Sequence, residues 1–274
     1  MGCWWPLVRI QSPRFFLRFV GDPSLLILLS NDDGVSSEGL SSLRQILSMT
    51  DDVWVVAPDS ERTCAAHAIT VHNPLRINNH GDQVFSTNGT PADCVVLATQ
   101  VILPRKPDLV ISGINKGPNM GQDVVYSGTV AAAKEGAFAG VASIAVSLNG
   151  RKGFHFEDAS RSVKHIVNTI RDNPLPPSTF LNINIPNTSY EKVKGFEVTS
   201  LGKRIYNGNI IERQDPRGGK YYWIGGNNEG FEPIIGTDLH AVHRGYLSIT
   251  PLHWDLTSYG SLDYVRTIFI EKST

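Results

Sequence analysis

The stretch that most constrains this chain is Leu25-Leu26-Ile27-Leu28-Leu29, five large aliphatics that run directly into Ser30-Asn31-Asp32-Asp33-Gly34. The run is too short to cross a membrane and reads as a β-strand buried on both faces. The abrupt rise in polarity, with a glycine free to adopt positive φ, marks a sharp turn at the strand's carboxyl end. In an open α/β sheet that is the edge at which ligands bind. Two adjacent carboxylates there suit a hard divalent cation, which takes oxygen ligands. The plainer alternative is that Asp32 and Asp33 form the turn and cap the helix that follows; these residues alone leave both open.

The same grammar recurs along the chain. Leu40, Leu43 and Leu47 share one face of a helix over 36–49, and Val53-Trp54-Val55-Val56-Ala57 is a second buried strand stopped by Pro58. A strand, a helix and a strand in that order form a βαβ unit, which predicts a parallel sheet. Residues 108–112 and 142–148 supply a third and a fourth buried strand, and short strands are expected over 69–77 and 83–86. One helix starts at Thr90-Pro91-Ala92-Asp93, with a capping threonine, proline at the first helical position and an acid at the positive end of the dipole. Val163, Ile166, Val167 and Ile170 mark a further amphipathic helix that stops at Asn173-Pro174. Phe180 to Pro186 alternates apolar with polar, as a strand with one wet face does. From Thr188 to Pro251 the chain reads as an antiparallel appendage of hairpins. A long hairpin cannot bury both its faces alone, so this one is expected to pack on another subunit. Residues 258–270 read as a helical tail.

The loops after the buried strands collect polar residues at one edge. Residues 59–67, after the second strand, hold hydroxyls and Arg62 that either face a bound anion or metal or are simply solvated. Gly113 to Gly121 holds four Gly/Pro positions, so its backbone can approach a ligand closely. Within it, Asn115 and Asn119 offer amide oxygens to a metal or amide N–H groups to phosphate. Ser127-Gly128-Thr129 opens the alanine-rich helix 131–139, where backbone N–H groups favour an anion; a close-packed internal helix is compatible with that.

Composition removes several function classes. A net charge of −1 gives no electrostatic footprint for nucleic acid or an anionic membrane. Cys3, Cys64 and Cys94 show no CxxC spacing, which indicates neither a disulfide framework nor a zinc site and points to a reducing, cytoplasmic setting. Residues 1–23 stand apart as an N-terminal extension, with Arg9, Arg14 and Arg18 and no acid up to Val20. Organellar import through this Arg-rich segment and an accidental or disordered extension both remain open.

Taken in order, Ser30–Gly34, Ala57-Pro58-Asp59, Gly89–Cys94, Ser112–Asn115, Gly117-Pro118-Asn119, Tyr126–Val130, Gln214–Gly218 and Ser248–Leu252 resemble the motifs of the SurE (survival protein E) family. The resemblance runs from Leu25 to about Leu256. It implies a Rossmann-like three-layer α/β/α fold with a mostly parallel sheet, and one domain over 24–274, divided into a core (24–187) and an extension with a C-terminal helix (188–274). It implies a metal-dependent 5′/3′-nucleotidase that hydrolyses nucleoside monophosphates by metal-activated water, with one Mg²⁺ or Mn²⁺ per subunit. The family's metal ligands fall on Asp32, Asp33 and Asn115; Thr63 stands where the family has a ligand serine and keeps the hydroxyl. Asn119, Ser127, Gly128 and Thr129 are the expected phosphate-binding residues. One of the catalytic pair Asp32 and Asp33 is expected to act as base toward water, which one being left open. The resemblance further implies a homodimer or homotetramer joined through the C-terminal extension. Two rival readings are a non-catalytic nucleotide or metal sensor and a covalent aspartyl-phosphatase. The latter fits less well because its two aspartates are generally separated by one residue, whereas these are adjacent.

Overall fold

The computed structural model describes residues 24–206, 208–225 and 228–270, so the expectations for residues 1–23 lie outside the described residues. The aliphatic run forms β1 (Leu26–Ser30), buried throughout. After it come α1 (Glu38–Leu47), β2 (Asp52–Pro58), β3 (Ile77–Asn79), β4 (Val84–Thr87), α2 (Pro91–Leu97) and β5 (Leu109–Lys116). Then follow α3 (Gly128–Phe138), β6 (Ala142–Asn149), α4 (Phe156–Asp172) and β7 (Thr179–Pro186). The C-terminal part adds β8 (Phe196–Val198), β9 (Arg204–Tyr206), β10 (Asn209–Gln214), β11 (Lys220–Gly225), β12 (Asn228–Phe231), α5 (Asp238–His243), β13 (Leu247–His253) and α6 (Leu262–Phe269).

Nine strands form one sheet in the order β3-β4-β2-β1-β5-β6-β7-β13-β8. From β4 to β7 every pairing is parallel, while β3 pairs antiparallel with β4 and β13 antiparallel with β7 but parallel with β8. Helices cover both faces, which gives the three-layer α/β arrangement. Leu40, Leu43 and Leu47 of α1 and Val163, Ile166, Val167 and Ile170 of α4 bury against Ile27, Leu29 and Ile111 on one face. On the other, Cys94 and Val95 of α2 and Ala132 of α3 meet Leu28, Val56 and Val110. Each fully buried Leu, Ile or Val contributes about 1.5–3 kcal/mol, so β1, with Leu26 to Leu29 all buried, is firmly anchored. Thr90 and Asp93 form a reciprocal capping box with Pro91 inside it, as their spacing predicts.

Four expectations need correction. Residues 69–76 form no strand; Pro74 lacks an N–H for a ladder, and side-chain oxygens of Asp93 and Asn88 hold the N–H groups of Thr70 and Arg76. The third strand does not stop at Ser112: β5 shifts register between Ser112 and Asn115, a bulge, and pairs on with Ser147 and Leu148. β7 has no wet face, because Asn182 and Asn184 are fully buried and hydrogen-bonded internally, as described below. Finally, β8 and β13 belong to the main sheet. Among the described residues, β10–β11 and β9–β12 alone form separate antiparallel ribbons, and β10–β11 carries the exposed side chains Ile210, Trp223 and Ile224.

Candidate active site at the carboxyl edge of the sheet

From β1 the chain winds outward through β2 and β4 and then returns to place β5 on the other side of β1. This reversal opens a crevice between the carboxyl ends of β1 and β5, the position favoured for ligands in open α/β sheets. The turn after β1 is held by Asn31. Its amide nitrogen donates to Gly34 O (3.0 Å) and Ser37 Oγ (2.6 Å), and its amide oxygen accepts from Gly34 N, where φ is +96°. Asn31 therefore makes the turn, and Ser37 occupies the N-cap position of α1. Asp32 and Asp33 are released from both structural duties.

Asp32 is buried, and its Oδ1 accepts from Thr129 Oγ1 at 2.5 Å. Burial pushes its carboxyl up to about 6; the Thr129 hydrogen bond opposes that rise and the neighbouring Asp33 charge adds to it. Burial also raises Asp33, against the pull of the Lys116 N–H at 3.2 Å and of the Lys116 charge. Among the described residues neither carboxylate is ion-paired. Removing charge from water without a partner is costly, so this doublet calls for a cation from outside.

The other oxygens converge on the same cavity, which measures about 870 Å³ and is lined by Asp32, Asp33, Thr63, Asn115, Asn119 and Ser127 among others. Asn115 donates its amide nitrogen to Gly117 O (2.9 Å) and so leaves its amide oxygen. Thr63 Oγ1 donates to Glu61 Oε1 at 2.5 Å and keeps its lone pairs. Its loop is tied down by Arg62 N to Asp32 O (2.7 Å), Ala66 N to Tyr126 O (3.1 Å) and the His67–Glu135 pair (2.7 Å). Two carboxylates, an amide and a hydroxyl make an all-oxygen set suited to a hard divalent ion. Among the described residues no three His, Cys, Asp or Glu side chains cluster as a metal site, here or elsewhere, so a cation at this edge draws on the amide and hydroxyl oxygens as well as the two carboxylates.

Ser127 caps α3, its Oγ accepting from Val130 N (3.1 Å), and it also lines the cavity. Gly128 and Thr129 stand behind the wall instead. Thr129 is fully buried with its hydroxyl engaged on Asp32, and a Cβ on residue 128 would lie 2.9 Å from Asp32 Cβ. Arg62 turns away, toward Asp59 and Asn88 O.

Asn119 rests on a buried polar ladder. Its carbonyl accepts from Asn182 (2.8 Å) and Asn184 (2.9 Å), its N–H donates to Asn184 Oδ1 (2.9 Å), and its side chain donates to Ser147 Oγ (2.8 Å). Asn184→Ala strands the buried N–H of Asn119 and removes one donor to its carbonyl. We expect a loss of about 2–3 kcal/mol in urea unfolding; a loss below about 0.5 kcal/mol refutes the ladder's structural importance.

The sequence reading missed Glu61, Asp123 and Tyr206 in the cavity wall. Glu61 sits two residues before Thr63, a signal available in principle. Tyr206 arrives from β9, and no local pattern announces it.

Comparison with known proteins follows the same lines. The family model described as survival protein SurE matches residues 27–208. A 5′-nucleotidase SurE of Geotalea daltonii is 47% identical over 241 residues, covering 88% of this chain and 97% of that protein. A 5′-nucleotidase SurE of Coxiella burnetii is 48% identical over 245 residues, covering 89% of this chain and 95% of that protein. The crystal structure of the SurE protein from Aquifex aeolicus superposes with a TM-score of 0.81 at 43% identity, over 89% of this chain and 99% of that one.

Proposed function

The chain belongs to the SurE family, and from that premise we propose that it is a nucleotidase, releasing inorganic phosphate from nucleoside monophosphates. The observation that carries the reading is the doublet of buried Asp32 and half-buried Asp33, without an ion pair among the described residues, at a cavity of about 870 Å³, a volume suited to a whole small ligand. Asp32, Asp33, Asn115 and Thr63 hold one divalent cation. When bound, Mg²⁺ or Mn²⁺ supplies neutralisation of the phosphate's charge and polarisation of the attacking water.

The chain's own groups do the rest. Asn119 and Ser127 bind phosphate oxygens from the wall, while Gly128 and Thr129 act from behind, offering the first turn of α3 and fixing Asp32. One carboxylate of the pair Asp32 and Asp33 accepts the proton of the attacking water. Lys116 lines the same cavity and adds a positive charge that favours an anionic ester. The exposed β10–β11 ribbon supports assembly through the extension into a dimer or tetramer. Among the described residues no helix is long and apolar enough to cross a membrane.

The test is phosphate release from a panel of nucleoside monophosphates by chelator-treated protein, with and without added Mn²⁺ or Mg²⁺. Release that requires the cation and ranks the substrates is expected. No release from folded, cation-loaded protein would falsify the reading and favour a sensor that binds without turnover.

A further inference from the structure

The cavity wall has two characters. Asp32, Asp33, Asn115, Asn119 and Ser127 make one part polar, whereas Tyr206 and Ile224 enter from β9 and β11 of the extension. A bare phosphate fills only a fraction of about 870 Å³, so the remainder is shaped for what the phosphate is attached to. Resting on the nucleotidase reading, we propose that Tyr206 is the ring against which the nucleoside of the substrate stacks. The extension thereby completes the substrate pocket in addition to any part it plays in joining subunits.

Tyr206 closes a strand of only three residues, yet it is firmly held. Its hydroxyl donates to Asp123 Oδ1 at 2.5 Å, and Asp123 Oδ2 is ion-paired with Arg204 Nε at 2.5 Å. The side chain of Gln122 bonds both the N–H and the carbonyl of Arg204, each at 2.9 Å. Asp238, on α5, bridges Gly121 N and Gly202 N, each at 2.8 Å. Every one of these contacts joins the loop after Asn119 to residues 202–206 or bolts both to α5. The ring is thus tied end-on through its oxygen while nearly half of its surface stays open. A rigid aromatic that offers a face at little entropic cost is what stacking on a heterocycle requires. Because every base presents a π-face, such a contact tolerates different bases. The buried Arg204 and the acid Asp123 position the ring and need not touch the substrate.

The experiment compares a purine nucleoside monophosphate with β-glycerophosphate, a phosphomonoester without a ring, using the full chain loaded with Mn²⁺. The preference for the nucleotide, as the ratio of the two kcat/KM values, should fall about tenfold in Tyr206→Ala, through KM and not kcat. Tyr206→Phe keeps the ring and should hold the ratio within about twofold. Tyr206→Leu replaces Ala if the smaller residue unfolds the extension, and carries the same expectation. An unchanged ratio in the Ala or Leu variant, or an equal fall in Phe, overturns the proposal. A wild type active on neither ester overturns the nucleotidase reading, and this inference with it.

Discussion

Asp32→Asn should abolish phosphate release and, at the same time, raise the melting temperature of the metal-free protein at pH 7. The two effects share one cause. Burial lifts the Asp32 carboxyl from 3.8 to about 6, so the folded chain holds that proton more tightly than the unfolded chain does. By linkage, the metal-free protein loses stability as pH rises from about 4 to about 6. The loss is complete above the folded value and absent below the unfolded one. A shift of about two units corresponds to about 3 kcal/mol. Asparagine keeps the acceptor for Thr129 but brings an amide nitrogen in need of a partner, so we expect a net gain of about 1–2 kcal/mol above pH 6 and none at pH 4. Saturating Mn²⁺ should reverse the ranking: at a hundred times its Kd a cation adds about 2.7 kcal/mol to the wild type, and the variant gains little. Below about pH 6 protons compete with the cation for Asp32, so apparent cation affinity should fall there. Phosphate release should drop at least about a thousandfold. Thermal scans at pH 4 and pH 7, with and without Mn²⁺, decide the matter; a variant less stable than the wild type at pH 7 without metal would contradict it.

Gly128→Ala is the second large effect, and it works through space. An added Cβ would lie 2.9 Å from Asp32 Cβ, 3.0 Å from Asp32 Oδ2 and 3.1 Å from Pro91 Cγ. Alanine is the better helix former, a gain of up to about 1 kcal/mol, but the methyl has nowhere to go. Overpacking costs about 1–3 kcal/mol, and the yielding group is the Asp32 carboxylate or the first turn of α3. Moving a reacting group by about 1 Å can cost about a hundredfold in rate. We expect kcat to fall by about that factor with the melting temperature lowered by only a few degrees, measured well below the transition. A kcat within threefold of the wild type would show that Asp32 is free to move without consequence.

Both predictions concern residues that the sequence exposed, and the reasons are physical. β1, β2 and β5 were legible because strands covered on both faces must be continuously apolar. The Asp-Asp doublet was legible because it ends one of them. What local pattern does not carry is the partner of a polar group. Asn182 and Asn184 alternate with isoleucines, and alternation is silent on whether the amide meets water or the backbone of Asn119. Thr129 lies in a motif suggestive of phosphate, yet its hydroxyl serves Asp32. Glycine at 113 reads as the start of a loop, whereas bulged pairing carries β5 on to Lys116 and so delivers Asn115. Tyr206 and Asp123 meet across 83 residues, a pairing that no spacing rule could propose.

The asparagine ladder also sets a sequence in time. Asp32 and Asp33 leave a ribosome early, but Asn119 waits for Asn184, 65 residues further on, and Gly121 for Asp238, 117 further on. Chains are made from the N-terminus and their early parts can collapse first. A nascent or truncated product ending before β7 therefore holds both aspartates and most of the parallel sheet while lacking the floor that seats Asn119. Competence arrives last, when the C-terminal segments dock, and an incomplete chain carries the acids without the means to use them.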